Sequence, residues 1–175
     1  MQDALEAGAV AVLPVGAAAK QHGLHLPMNT DFLQAEWLAW RLVERAHVAV
    51  WPCLSYGHYP AFVDYPGSCS LSRETFQALC TEVINDILRA GVRKVLVLNT
   101  GISTIGPLRA AITGASQPAR IMLSNAYEGA NYRAEEARLA EQLRGSHADE
   151  LETSICSRSR PKLCVWIWRK LALAR

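Results

Sequence analysis

The sequence predicts an α/β protein, a three-layer α/β/α arrangement around a mostly parallel central sheet. Two observations lead there. Short apolar runs of strand length alternate along the chain with longer segments whose apolar residues recur at helical spacing. Polar loops then follow several of those runs, at the strand carboxyl ends where open α/β sheets gather their sites. With 175 residues, half of them hydrophobic and 19% charged, the chain has the apolar content of one globular core rather than of a disordered segment.

Each element has its own signal. Ala9 to Val15 reads as a buried strand. Asp31 to Ala46 reads as a helix: Phe32, Leu33, Ala35, Leu38, Ala39, Leu42 and Val43 form its apolar stripe, and Asp31 stands where an N-cap belongs. Val48 to Leu54 is a second strand. Ser55 to Leu71, rich in Tyr, Gly and Pro, is a long loop, and long loops often carry function. Ser72 opens a helix that runs to Ala90, and Gly91 stops it. Lys94 to Leu98 is the third strand. Thr104 to Gly114 is a helix that accommodates Pro107 in its first turn. Ala119 to Ser124 is the fourth strand, Tyr132 to Arg144 a helix, and a further helix starts between His147 and Cys156.

The net charge of +2 conceals an asymmetry. Ser157 to Arg175 holds Arg158, Arg160, Lys162, Arg169, Lys170 and Arg175 and no acid, so the rest of the chain is mildly acidic. The expected organisation is an α/β domain over 1–156 and an atypical basic tail over 157–175. The tail lacks apolar periodicity and carries Trp166 and Trp168, which reads as a shifted reading frame, against the rival of a natural basic extension. Nothing in the acidic body suggests nucleic-acid binding. Five cysteines, odd in number and without a CxxC, disfavour structural zinc fingers and a disulfide framework, and suit a reducing cytoplasm. Neither a signal peptide nor an apolar run of roughly 20 residues is visible, so no membrane association is expected.

Four segments hold residues capable of chemistry. His22, His25 and Asp31 lie in the loop after the first strand, and imidazole with carboxylate suits zinc, manganese or iron(II). The bland reading is a loop held by histidine hydrogen bonds, with Asp31 as a cap. Asn99, Gly101, Ser103 and Thr104 follow the third strand and suit a turn that faces a substrate oxygen, or a plain strand-to-helix turn. His147 and Glu152 lie five residues apart, roughly 140° around a helix. They reach a common site only if His147 precedes the first turn, and otherwise are a cap and a solvated charge. Tyr59 and its aromatic neighbours in the long loop suit a pocket wall or an oligomer contact.

The segment Pro14-x-Gly16 to Gln21-His22-Gly23-x-His25-Leu26-Pro27, closing on Thr30-Asp31, resembles the creatininase family of metal-dependent amidohydrolases. The stretch His147-Ala148-Asp149 to Glu152-Thr153-Ser154 resembles that family's His-Ala-Gly-x-x-Glu-Thr-Ser. The resemblance covers about residues 9–154. It implies an α/β/α fold, a small-molecule amide substrate, a homo-oligomer and a two-metal centre. It implies metal ligands at His22, Asp31 (bridging two metals) and Glu152, a proton-shuttling His147, and a loop-shaping His25. Two departures stand out. Lys20 replaces the family's usual metal-binding glutamate, and Gly101 replaces a ligand histidine. Both fall on the same metal position, and the charge of Lys20 repels a cation there.

The resulting expectation is a one-metal variant (zinc, manganese or iron). His22, Asp31 and Glu152 are its metal ligands, His147 and Lys20 its catalytic residues, and Asn99, Ser103 and Tyr59 its substrate-binding residues. Its metal makes a bound water acidic enough to attack a cyclic or linear amide, while Lys20 neutralises Asp31 or holds an oxyanion. The alternatives are a creatininase-like binding or assembly subunit without activity, and a nucleotide-binding α/β module. The chain lacks both GxGxxG and a Walker pattern, which makes the module the weaker of the two.

Overall fold

A computed structural model describes residues 2–141, 145 and 147–159. Four parallel strands form one sheet in the order β2-β1-β3-β4: β1 Val10–Val15, β2 Val48–Val50, β3 Val95–Asn99 and β4 Ile121–Asn125. The pairing is in continuous register, with Ala11 opposite Val95 and Val15 opposite Asn99 across β1 and β3, and Val95 opposite Ile121 across β3 and β4. All four strands end on one side, and the loops that leave those ends build the site.

The strand side chains alternate between two cores, as the two-residue period requires. Ala11, Leu13, Val15, Val95 and Val97 face α3 (Arg73–Arg89) and α4 (Ile105–Thr113), where Phe76, Cys80, Ile84, Leu108 and Ala111 are buried. Val12, Leu96 and Leu98 face α2 (Thr30–Val43) through Leu38, Ala39 and Leu42. These are the three layers expected from the sequence. Phe76 has no exposed surface and anchors the larger core. Phe76→Ala is expected to cost about 3–5 kcal/mol, the sum of lost transfer energy and a cavity. A urea unfolding midpoint that stays at the wild-type value would show that this core is not the principal one.

Helix boundaries differ from the reading in instructive ways. Ser72 caps α3 as expected, its hydroxyl accepting from the Thr75 N–H, and Gly91 follows the helix at φ +90°. Asp31 is not an N-cap. Asn29 takes that position, and the Asp31 side chain turns away from its own helix. A five-residue helix α1 (Gln2–Glu6) precedes β1 and had no signal in the sequence. The fourth long segment is helical from Ala130 to Leu139 (α5), and α6 spans Glu150–Ser159. Helix α6 crosses the expected domain limit at residue 156 without interruption. The rest of the basic tail, with Trp166 and Trp168, lies outside the described residues. Cys53, Cys69 and Cys80 are free thiols, whereas Cys156 is disulfide-bonded. No helix among the described residues is long and apolar enough to cross a membrane.

Candidate active site

The site starts from a close approach that only glycine permits. A Cβ on Gly16, just past β1, would lie 2.4 Å from the Asp31 carbonyl oxygen and 2.8 Å from Thr100 Oγ1. Without that atom, the first turn of α2 lies directly on the ends of β1 and β3. The Phe32 N–H donates to Ala17 O, and the Thr100 hydroxyl donates to Asp31 O at 2.8 Å. The 16–29 loop is then pinned by the long loop 55–71: the Ala18 N–H donates to Ser55 O, the Gln21 N–H to Ser68 Oγ, and the Cys69 N–H to Ala19 O.

This scaffold buries three charged or ionisable side chains together. Lys20 is 5% exposed, and His22 and Asp31 are 1% exposed. Lys20 Nζ lies 2.6 Å from Asp31 Oδ2, and His22 Nε2 lies 2.9 Å from Asp31 Oδ1. His22 Nδ1 donates to the Lys20 carbonyl at 2.8 Å. Burial alone would raise the Asp31 pKa, but the His22 hydrogen bond and the Lys20 charge outweigh it and hold the carboxyl below its ordinary value.

The second half of the site comes from α6 and the residues before it. His147 precedes the helix, as convergence requires. Its Nε2 donates to the Gln21 carbonyl at 2.6 Å, its ring packs on His22 (centroids 4.7 Å) and on Phe62 (4.4 Å), and its Nδ1 lies 4.0 Å from Glu152 Oε2. Burial, then the Lys20 charge, push its pKa down to about 4, so the ring is neutral at pH 7. Glu152 is buried and works as part of a helix cap: its N–H donates to Asp149 Oδ1, and its Oε2 accepts from the Ala148 N–H. Burial first, and then the negative charge of Asp31, raise its pKa. Gln34, buried in α2, donates to the Glu152 carbonyl and accepts from the Tyr127 hydroxyl, which ties α6 to α2 and to the turn after β4. His25 reaches Thr153 Oγ1 and braces the loop against α6.

Lys20, Phe62, Thr100, Ile102, Ser103, His147 and Glu152 line one cavity of about 250 Å³. Ser103, read from the sequence as substrate-binding, is one of the residues lining it. Asn99 and Tyr59, also read as substrate-binding, are not among its lining residues. The Asn99 amide donates to Gly101 O and Asn125 Oδ1, and accepts from the Gly101 N–H and Thr104 Oγ1, so it builds the turn. Tyr59 is 1% exposed, and its hydroxyl donates to the Cys69 carbonyl at 2.5 Å. The aromatic wall that the long loop supplies to this cavity is Phe62. Its signal was the aromatic content of that loop, three tyrosines and Phe62, which does not say which ring turns inward.

The arrangement fits a divalent cation. Among the described residues one group of at least three potential ligands gathers: His22, His147 and Glu152, with one ligand atom from each within 4.8 Å of the others. Both histidines commit their other nitrogen to a backbone carbonyl, as metal-ligating histidines do. A neutral imidazole has one N–H, and His22 Nδ1 uses it. The approach of His22 Nε2 to Asp31 Oδ1 therefore calls for a second ring proton or for a cation next to both atoms. The grouping differs from the sequence expectation: His147 joins the trio, and Asp31, with both oxygens engaged, lies outside it.

Comparison with known proteins bears on this geometry. The profile of the creatininase family, described as creatinine amidohydrolase, matches residues 1–165. The chain belongs to the creatininase family. A creatinine amidohydrolase of Pseudomonas putida is 34% identical over 95 residues, 51% of this chain and 36% of that protein. The matched part thus spans about a third of that curated relative. A crystal structure of creatinine amidohydrolase superposes with a TM-score of 0.83 at 26% identity, covering 93% of this chain and 70% of the other. A creatininase structure described as Mn gives 0.82 at 25% identity over the same shares. The fold and the family are therefore those that the Gln21-His22-Gly23-x-His25 segment resembled, and the family's structures include a manganese form.

Proposed function

We propose that the chain is an amidohydrolase of the creatininase type that acts on a small-molecule amide with a single divalent cation. The observation that carries this reading is the convergence of His22, His147 and Glu152 beside a cavity of about 250 Å³. His22 Nε2, His147 Nδ1 and Glu152 would hold the cation, with Asp31 Oδ1 adjacent to His22. Three protein ligands leave room for water and substrate. When bound, the cation supplies Lewis-acid polarisation of the amide carbonyl and makes a water acidic enough to attack. The chain's own side chains do the rest. Lys20 Nζ and the Ser103 hydroxyl face the cavity and donate to the carbonyl oxygen. Phe62 covers His147 and limits water. Asp31 fixes both Lys20 and His22. His147, read from the sequence as a proton carrier, serves here as a ligand, because its free nitrogen points at Glu152. Assembly into a homo-oligomer fits the exposed Trp40 and Met122, at 63% and 62% exposure.

The test is metal content. Protein purified without chelators should carry about one manganese or zinc per chain. His22→Ala, His147→Ala and Glu152→Ala should each reduce that by more than tenfold, while His25→Ala should not, nor should His58→Ala in the long loop, where His58 Nδ1 lies 3.0 Å from the Leu71 carbonyl oxygen. A His147→Ala variant that keeps its metal and loses only turnover would return His147 to the role of proton carrier.

A further inference from the structure

The Lys20 ammonium takes a position that the trio does not serve. Asp31 presents its two oxygens to two different partners: Oδ1 to His22, on the side of the proposed cation, and Oδ2 to Lys20 at 2.6 Å. That is how a carboxylate is arranged when it bridges two positive centres. Lys20 is 5% exposed, and its Nζ stands 5.4 Å from the centroid of the Phe62 ring, whose face favours a cation. Its backbone is fixed as well, since the Lys20 N–H donates to Met28 O. Neither Gly101 nor Asn99 supplies a further ligand here. Gly101 has no side chain, and a Cβ there would meet Thr104 Oγ1 at 2.8 Å, while the Asn99 amide is fully engaged in its turn.

We infer that Lys20 is a built-in cation that occupies the place of a second divalent metal beside Asp31 Oδ2, so that this half of the centre needs no metal. The inference deepens the one-cation reading but does not depend on the trio being loaded. An ammonium contributes one positive charge and three N–H donors at a fixed point, and it cannot be removed by chelation. It also repels a divalent ion from the same few ångströms. The class of ligand excluded at this point in the natural chain, and admitted once Lys20 is replaced, is a hard or borderline divalent cation such as Mn²⁺.

The test uses the full chain and its Lys20→Glu and Lys20→Met variants. Each is titrated with Mn²⁺ by calorimetry, and thermal midpoints are measured in Mn²⁺ and in EDTA. The natural chain should bind one Mn²⁺ and keep its fold in EDTA. Lys20→Glu places a third carboxylate beside Asp31 and Glu152, so its EDTA midpoint should fall by many degrees. With Mn²⁺ that midpoint should recover, and stoichiometry should rise from one to two. Lys20→Met leaves Asp31 without its partner and should show the same direction of rescue; it remains readable if Lys20→Glu folds only in metal. Two Mn²⁺ per natural chain would overturn the inference, and so would variants whose stoichiometry and midpoint are indifferent to Mn²⁺. A natural chain that binds none, with Lys20→Glu binding one, would defeat the one-cation reading while upholding the role of Lys20.

Discussion

Asp31→Ala is expected to cost about 3–5 kcal/mol of folding stability, as removal of one partner of a buried ion pair does. The cost arises in what is left behind. Lys20, 5% exposed, would keep an ammonium with no carboxylate against it, and His22 Nε2 would lose its partner. Metal affinity should fall too, because His22 would no longer be held toward the trio. Urea unfolding of the chelated protein and a Mn²⁺ titration separate the two effects. The pH dependence has a definite sign. The Asp31 carboxyl is held below its ordinary value of about 3.9 in the folded chain. Its contribution is therefore fully present above that value and is lost as the pH falls through the folded pKa. The gap between wild type and Asp31→Ala should be widest near neutrality and narrow below about pH 4. A gap that stays constant into acid would mean that the pair with Lys20 does not stabilise the fold.

Asp31 also shows where sequence reading succeeds and stops. An aspartate at the start of an apolar-striped helix is what an N-cap looks like and what a site acid looks like. The outcome depends on whether its side chain returns to its own backbone or meets Lys20, and that is decided by tertiary packing. The sheet was legible because β1 and β3 are largely buried on both faces and their apolar residues run unbroken, 10–15 and 95–98. The convergence of His147 with His22 was legible only through motif resemblance. The contact that makes it, His147 to the Gln21 carbonyl, joins residues 126 apart in the chain, and no local pattern encodes it. Gln34 and Tyr127, which place Glu152, left no signal, because a glutamine on a helix is ordinarily a solvated residue. Asn99 and Tyr59 do not line the cavity with Lys20, and residue type alone does not reveal that. Polar side chains at strand ends and in loops satisfy backbone groups as often as they face a ligand, and here the Asn99 amide and the Tyr59 hydroxyl both donate to backbone carbonyls.

Gly16→Ala is the substitution expected to do the most damage for one added methyl group. Its Cβ would meet the Asp31 carbonyl oxygen at 2.4 Å and carbon at 2.6 Å, with Thr100 Oγ1 at 2.8 Å. Two of those three atoms are backbone, so no rotamer change relieves the contact. Relief requires the first turn of α2 to retreat from the ends of β1 and β3. That would break the Phe32 N–H to Ala17 O bond and the Thr100 to Asp31 O bond, and move Asp31 away from Lys20. Overpacking by a methylene commonly costs about 1–3 kcal/mol, and a clash with backbone belongs at or beyond the top of that range. The variant should therefore lose stability and metal affinity together, although position 16 offers no ligand. Gly106→Ala is the matched control. Beyond its chain neighbours, the nearest atom to an added Cβ is Arg73 Nη2 at 3.9 Å, and Pro107 next to it disfavours helical backbone for an alanine, so a small loss without any backbone clash between elements is expected. A Gly16→Ala protein with wild-type thermal midpoint and wild-type Mn²⁺ binding would show that α2 does not rest on the strand ends, and that the site is positioned by the loops alone.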